Sequence, residues 1–164
     1  HFIAATNSNK TVPDFLNSGV WTDRTSVATR SNAMDVAHPS NWIRIEALHN
    51  NDLNTLRNHI SSYSFTDTQT MDAMQRVYHQ YNYVADPHGA IGYLGLERYL
   101  HEKPNHFGVF LETAHPVKFT EVVAEALGFS PELPEGLQRL MHSEKKSTVI
   151  KNYDELKEVL MQKH

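Results

Sequence analysis

The chain has 164 residues, which is the size of one ordinary domain. Its 15 basic residues against 19 acidic residues give a formal net charge of −4, so it lacks the basic surplus of a nucleic-acid-binding protein. It has no cysteine, which excludes disulfides and thiolate metal ligands. Neither a membrane-length apolar run nor a secretory leader is present, so we expect a cytoplasmic protein with no nucleic-acid or membrane partner.

Short apolar runs alternate with helical stripes along the first half of the chain. Residues 2–5 and 26–29 are predicted strands, each followed by turn-forming polar residues. Apolar side chains recur every three or four residues in several stretches, which predicts helices there. These stretches lie at residues 12–16, 42–48, 53–60 and 71–81. Thr66 and Gln69 have the spacing of a capping box before the last of them.

The second half continues this alternation of strands and helices. Residues 107–111 (FGVFL) form the most apolar predicted strand, as expected where both faces of a sheet are covered. Asp86 and Pro87 have the composition of a helix start, and Gly128 that of a helix end. The remaining predictions are strands at 83–85 and 149–150, and helices at 87–100, at 119–127 and after Asn152.

Alternating strands and helices predict an α/β fold: a mainly parallel sheet with helices on both faces. Ligands of such sheets bind beyond the carboxyl ends of the strands. Polar residues follow the predicted strands at Thr6–Asn7, Ser31–Asn32, Asp86–His88 and Thr113–His115. The sequence does not decide which of five polar residues line a site and which only cap helices or fill turns: Asn7, Ser31, Asn32, His88 and His115.

Histidines and glycines suggest two further kinds of site, and neither has its usual pattern. The 11 histidines form no His-Glu-x-x-His or His-x-His motif, so we predict no metal site. Gly89, Gly92 and Gly95 lie within a predicted helix, where their spacing favours close packing over phosphate binding. Known nucleotide-binding and serine-hydrolase motifs are absent.

Thr113 and His115 place a hydroxyl and an imidazole where the most apolar predicted strand passes into a helix. A polar pair at this point is typical of a binding site at a sheet edge. It is equally typical of a helix cap and a filled turn, so spacing alone leaves both interpretations open.

Four separated segments, taken together and in order, resemble the carboxyl-terminal part of the threonine synthase family. They are residues 2–7 (FIAATN), 31–36 with 39–42 (SNAMDV and PSNW), 86–90 (DPHGA) and 113–119 (TAHPVKF). The resemblance covers residues 1 to about 128 well and the remainder loosely. It implies part of a tryptophan-synthase-β-like (fold type II) domain that binds pyridoxal 5'-phosphate (PLP). Residues 1–164 would form one structural unit, with 1–128 in the cofactor domain and 129–164 as a terminal extension.

The resemblance also implies a reaction and a cofactor contact. Threonine synthases convert O-phospho-L-homoserine and water to L-threonine and phosphate. Thr113 matches the threonine that is expected to hydrogen-bond the pyridine nitrogen of the cofactor. A neutral hydroxyl can donate to an unprotonated nitrogen, whereas a carboxylate favours the protonated one. His115 is expected to support the same loop.

Two parts of the family's active site have no match in this chain. The family uses a Schiff-base lysine in a Ser-Phe-Lys-Asp-like context and a Gly- and Asn-rich loop for the cofactor phosphate. None of the lysines stands in that context: Lys10, Lys103, Lys118, Lys145, Lys146, Lys151, Lys157 and Lys163. We therefore expect a carboxyl-terminal fragment with no catalytic residue of its own, inactive and free of PLP without the amino-terminal part of the same chain.

Two other functions remain open on the sequence alone. One is a metal-dependent hydrolase that uses some of the histidines. The other is a non-catalytic α/β module that binds a partner protein.

Overall fold

The computed structural model describes residues 1–32, 35–141 and 143–162. The chain divides into two units, and the first contains a two-stranded parallel sheet. The first unit is His1–Glu132 and the second is Leu133–His164. In chain order, the first contains β1 (Phe2–Thr6), α1 (Thr11–Ser18), α2 (Trp42–Leu48), α3 (Leu53–His59), β2 (Ile60–Ser64), α4 (Asp67–Tyr81), α5 (Pro87–Glu102), a 3₁₀ helix (Pro116–Phe119) and α6 (Thr120–Leu127). The second contains α7 (Glu135–Met141) and α8 (Tyr153–Met161). No helix in the described ranges is long and apolar enough to cross a bilayer.

Helices cover both faces of this sheet. β1 and β2 pair in parallel from Phe2 opposite Ile60 to Thr6 opposite Ser64. Alternate side chains point to opposite faces, so Ala4 packs with a core formed by α1, α2 and α3, while Ala5 packs with a core formed by α4, α5 and α6. The α/β prediction, with a parallel sheet between helical layers, is confirmed.

The helix starts and ends that the capping residues predict are also observed. The capping box exists: the Gln69 backbone N–H donates to Thr66 Oγ1 at 3.3 Å, and the Thr66 N–H donates to Gln69 Oε1 at 2.9 Å. Asp86 caps α5 by accepting from the His88 N–H at 2.8 Å. Gly128 ends α6 in the left-handed conformation, with φ of 79°. These ends depend on contacts within three or four residues, which a sequence displays directly.

The structure corrects the prediction at β2. The apolar stripe Leu53, Leu56 and Ile60 fits one helix, but α3 ends at His59 and Ile60 begins the strand. Ile60 and Leu56 still pack in one core, so the apolar spacing correctly indicated which side chains are buried. It did not indicate that the backbone changes from helix to strand at Ile60. α7 (Glu135–Met141) also lies where the sequence predicted no helix, just after two prolines, Pro131 and Pro134.

Four predicted strands are absent from the described residues: 26–29, 83–85, 107–111 and 149–150. The segment 107–111 is the most instructive, because Phe107 is 97% exposed and Val109 is 85% exposed. A cavity of about 440 Å³ separates this segment from β1, and no strand lies between them among the described residues. A strand needs a hydrogen-bonded neighbour, and here an apolar sequence has none.

Close packing of α5 on β1 depends on a glycine. A Cβ atom on Gly95 would lie 2.7 Å from the Cβ of Ala5, which is closer than such atoms approach in proteins. A Cβ on Gly92, three residues earlier in the same helix, would make only ordinary contact with Phe110 at 3.5 Å. The predicted packing role of these glycines is therefore observed at Gly95, where α5 contacts β1.

Gly95→Ala should destabilise the first unit by about 1–3 kcal/mol, because the added methyl pushes α5 away from β1. Gly92→Ala is the matched control and should be neutral or stabilising by up to about 1 kcal/mol, since alanine favours the helix. Urea unfolding of both variants measures the difference. Equal stability of the two would contradict the packing described here.

Candidate functional site

The predicted polar residues line three separate cavities of the first unit. Asn7, Ser31 and His88 line one of about 300 Å³, together with Thr11 and Trp42. Thr113 and His115 line a larger cleft of about 900 Å³. Asn32 lines neither, but a third cavity with Lys118 of the 3₁₀ helix and Thr120 of α6. The structure thus brings Asn7, Ser31 and His88 together at the carboxyl end of β1 and places Thr113 elsewhere.

Asn7 organises the loop that follows α1. Its amide nitrogen donates to Thr29 Oγ1 and to Ser31 Oγ, both at 3.0 Å. The Asp35 carboxylate completes this network by accepting from the Thr29 hydroxyl at 2.7 Å and from the Thr29 backbone N–H at 3.0 Å. Thr29 and Ser31 are buried, so these bonds replace the water that the polar groups lose. Asn7 and Ser31 therefore build the cavity wall as a hydrogen-bonded unit.

Thr113 is exposed in its cleft, which has aromatic and proline walls: Tyr78, Tyr83, Phe129, Pro116 and Pro131. Within the described part of the chain, no residue forms a hydrogen bond with its hydroxyl. His115, two residues later, caps the 3₁₀ helix, because its Nδ1 accepts from the Val117 N–H at 3.2 Å. Capping therefore falls to His115, and the Thr113 hydroxyl remains available to a ligand.

The residue before Thr113 enters a buried carboxyl pair. The Glu112 carboxyl lies against Gly89, in the space that a Cβ at this position would fill. Its Oε1 accepts from the Asp86 N–H at 3.3 Å. Asp86 is completely buried and also accepts from the His88 ring, Nδ1 to Oδ1, at 3.0 Å. A chain of contacts thus runs from His88 in the smaller cavity to Glu112 beside Thr113.

The two carboxyl groups have pKa values displaced in opposite directions. Burial raises the pKa of Glu112 to about 7, and the neighbouring Asp86 adds to the rise. Burial alone would also raise the pKa of Asp86, but hydrogen bonds from the His88 side chain and backbone lower it overall. Asp86 is therefore the ionised member of the pair, and Glu112 is the member that holds a proton near neutral pH.

Sequence reasoning identified Asp86 as a helix cap and missed its pairing with Glu112. One signal was available: a carboxyl residue directly follows the apolar run 107–111, at the point where site residues of α/β folds gather. Thr29 and Asp35 were missed as partners of Asn7, because contacts 22 and 28 residues apart leave no local pattern. No group of three or more histidine, aspartate or glutamate side chains in the described residues has a metal-binding arrangement.

Stability should reflect the raised pKa of Glu112. The folded state binds this proton more tightly than an unfolded chain with the ordinary pKa of 4.5, so the stabilisation is complete below 4.5 and is lost as the pH rises to about 7. The loss is at most about 3 kcal/mol. Glu112→Gln should remove it, because the amide does not titrate, whereas Glu121→Gln, at an exposed position of α6, should retain it. Denaturant unfolding at several pH values between 4 and 8 tests this, and equal pH profiles for Glu112→Gln and the parent chain would contradict it.

Comparison with known proteins adds independent information. Residues 89–160 match the family model described as "Threonine synthase, C-terminal". The threonine synthase of Serratia marcescens is 45% identical over 136 residues, or 83% of this chain and 31% of that protein. That of Buchnera aphidicola subsp. Schizaphis graminum is 42% identical over 99% of this chain and 37% of its own length.

Solved structures give the same result. The crystal structure of threonine synthase from Escherichia coli superposes with a TM-score of 0.80 at 35% identity, covering all of this chain and 38% of that one. A PLP-bound threonine synthase from Brucella melitensis superposes with a TM-score of 0.78 at 28% identity, covering 98% of this chain and 39% of that one. The chain spans 31–39% of the length of these relatives. By sequence and by fold, it belongs to the threonine synthase family and corresponds to the carboxyl-terminal part of its members.

Proposed function

We propose that these residues form the carboxyl-terminal part of a threonine synthase, a PLP-dependent lyase of threonine biosynthesis. The reaction converts O-phospho-L-homoserine and water to L-threonine and phosphate. The observation that carries the proposal is the Thr113 hydroxyl, which is exposed in a cleft and unpaired among the described residues. We further propose a cytoplasmic location, and that residues 129–164 extend the cofactor domain formed by residues 1–128.

The Thr113 cleft has the properties that the pyridine ring of PLP requires. Its volume is about 900 Å³, and Tyr83 and Phe129 give it flat apolar surface. A hydroxyl on its wall can donate a hydrogen bond to a ring nitrogen. Thr113 is therefore the residue that would hold the pyridine end of the cofactor.

Bound PLP supplies an electron sink for negative charge that develops on the substrate. The residues of this chain decide how strong that sink is. A threonine hydroxyl presents a neutral donor to the ring nitrogen, so it does not favour protonation of the ring as a carboxylate would. His115 holds the loop that carries Thr113, by capping the 3₁₀ helix that follows.

Other functions of the site must come from the rest of the enzyme. None of the described lysines lines the Thr113 cleft, and none has the sequence context of the cofactor-binding lysine. We assign that lysine, the cofactor phosphate loop and most substrate-phosphate contacts to an amino-terminal part, which is therefore the obligatory partner of these residues. The 164 residues alone are expected to be inactive.

Thr113→Val tests the proposed cofactor contact in an intact enzyme. The test protein is a chimera in which this chain replaces the aligned 38% of the Escherichia coli threonine synthase. Valine keeps the shape of threonine and removes the hydroxyl, so PLP affinity should fall by up to about tenfold, as expected for one neutral hydrogen bond, and turnover should fall with it. Spectroscopic titration with PLP and phosphate release measure the two effects.

Thr113→Ser is the matched control, because it keeps the hydroxyl and removes only a methyl group. It should bind PLP nearly as well as the parent chimera. Unchanged PLP affinity and turnover in Thr113→Val would remove Thr113 from the cofactor site.

The separated chain gives a second test. Adding PLP to the 164 residues alone should leave the absorption spectrum of the cofactor unchanged, because the lysine that carries it lies elsewhere. The Escherichia coli enzyme under the same conditions is the positive control. A stable spectral change that survives gel filtration would show that a lysine of this chain carries the cofactor, and the assignment to an amino-terminal part would be wrong.

A further inference from the structure

We propose that Glu112 is a positioning residue for the Thr113 hydroxyl, held in place by a proton that its carboxyl shares with Asp86 at the amino terminus of α5. The inference extends the proposed function, because it concerns the residue that would hold the pyridine end of the cofactor. It rests on the contacts of Glu112 with three residues: Asp86, Gly89 and Tyr83.

The backbone around Thr113 receives no support from a sheet. Residues 107–115 contain no strand, so no ladder of hydrogen bonds fixes their position. Two side chains hold the segment on either side of Thr113. His115 follows it and caps the 3₁₀ helix, and Glu112 precedes it and inserts its carboxyl against the amino terminus of α5. The position of the Thr113 hydroxyl therefore depends on whether Glu112 stays inserted.

A shared proton explains two otherwise unpaired atoms. Asp86 Oδ2 and Glu112 Oε2 are both buried, and neither has a hydrogen-bond partner among the described residues. The two carboxyl groups are neighbours, because Glu112 Oε1 accepts from the Asp86 backbone N–H and each group shifts the pKa of the other. One proton between them satisfies both oxygens, whereas two negative charges would repel.

The contacts also decide which carboxyl carries the proton. Asp86 accepts two hydrogen bonds from His88, at 2.8 Å from its backbone N–H and 3.0 Å from its ring. Both favour the carboxylate form of Asp86. Glu112 accepts a long bond of 3.3 Å from the Asp86 N–H and has the Tyr83 hydroxyl nearby, but its burial outweighs both, so Glu112 is the donor. The directions of the two pKa values agree with this assignment.

The titratable groups near Glu112 lie on several of the described elements. Asp86 and, behind it, His88 approach from the start of α5, and Tyr83 approaches from the segment before it. Tyr78, His115 and Glu132 line the same cleft as Glu112. Loss of the proton leaves Glu112 and Asp86 as adjacent anions, which should displace the Glu112 carboxyl and shift Thr113 with it. Positioning of the hydroxyl therefore weakens as the pH rises through about 7.

Carbon-13 and proton NMR of this chain tests the coupling without any cofactor. The Glu112 carboxyl carbon should titrate with a midpoint near 7, and the amide and methyl signals of Thr113 should shift with the same midpoint. In Glu112→Gln the amide can donate to Asp86 at every pH, so Thr113 should stay at its low-pH position. In Asp86→Asn the new amide can donate to an ionised Glu112, so the midpoint near 7 should disappear. Glu121→Gln should leave the titration unchanged.

Two results would overturn the proposal. One is a Thr113 signal that stays constant while Glu112 titrates. The other is a Thr113 titration near pH 7 that persists in Glu112→Gln, since the shift would then come from another group.

The chimeric enzyme gives a second, independent measurement. Its PLP affinity should fall by up to about tenfold per pH unit above the Glu112 midpoint, and Glu112→Gln should remove that decline. An identical decline in both proteins would overturn the role of Glu112. A chimera that binds no PLP, with the NMR coupling intact, would count against the proposed function and leave the positioning of Thr113 by Glu112 established.

Discussion

The candidate site depends on one buried carboxylate, Asp86, at the amino terminus of α5. Its side chain caps the helix through the His88 N–H, and its own N–H receives Glu112. A negative charge is stabilised there by the N–H groups of the first helical turn. Because α5 packs on β1 through Gly95, the same helix end has a fixed distance from the sheet. Asp86 thus links the packing of the core to the loop that carries Thr113.

Local signals in the sequence specified most of the helical structure. The capping box at Thr66 and Gln69, the Asp86-Pro87 start of α5 and the glycine that ends α6 are all contacts between near neighbours, and all are observed. The alternation of strands and helices also predicted helices on both faces of the sheet, and Ala4 and Ala5 point into different cores. The capping signals all act between residues only a few positions apart. Over such short distances few backbone conformations compete with the observed one.

The failures have a different physical origin. Ile60 belongs to one core whether it ends a helix or begins a strand, so apolar spacing could not reveal β2. Residues 107–111 have the composition of a strand, but pairing depends on a neighbour that the segment's own sequence does not encode. Contacts such as Asn7 with Thr29, or Asp86 with Glu112, join residues 22 and 26 positions apart. Thr113 itself was proposed from a family resemblance, since its spacing alone fitted a helix cap equally well.

The gap between β1 and residues 107–111 affects how this part of the family can exist in solution. Among the described residues, β1 is paired along one edge only, and the apolar segment across the gap is largely exposed. Free N–H and C=O groups beside exposed Phe107 and Val109 make a template onto which any extended apolar chain can add. During synthesis, such a surface is protected only once a matching strand has filled it. Covering this edge of β1 and the exposed segment beside it therefore matters for avoiding aggregation.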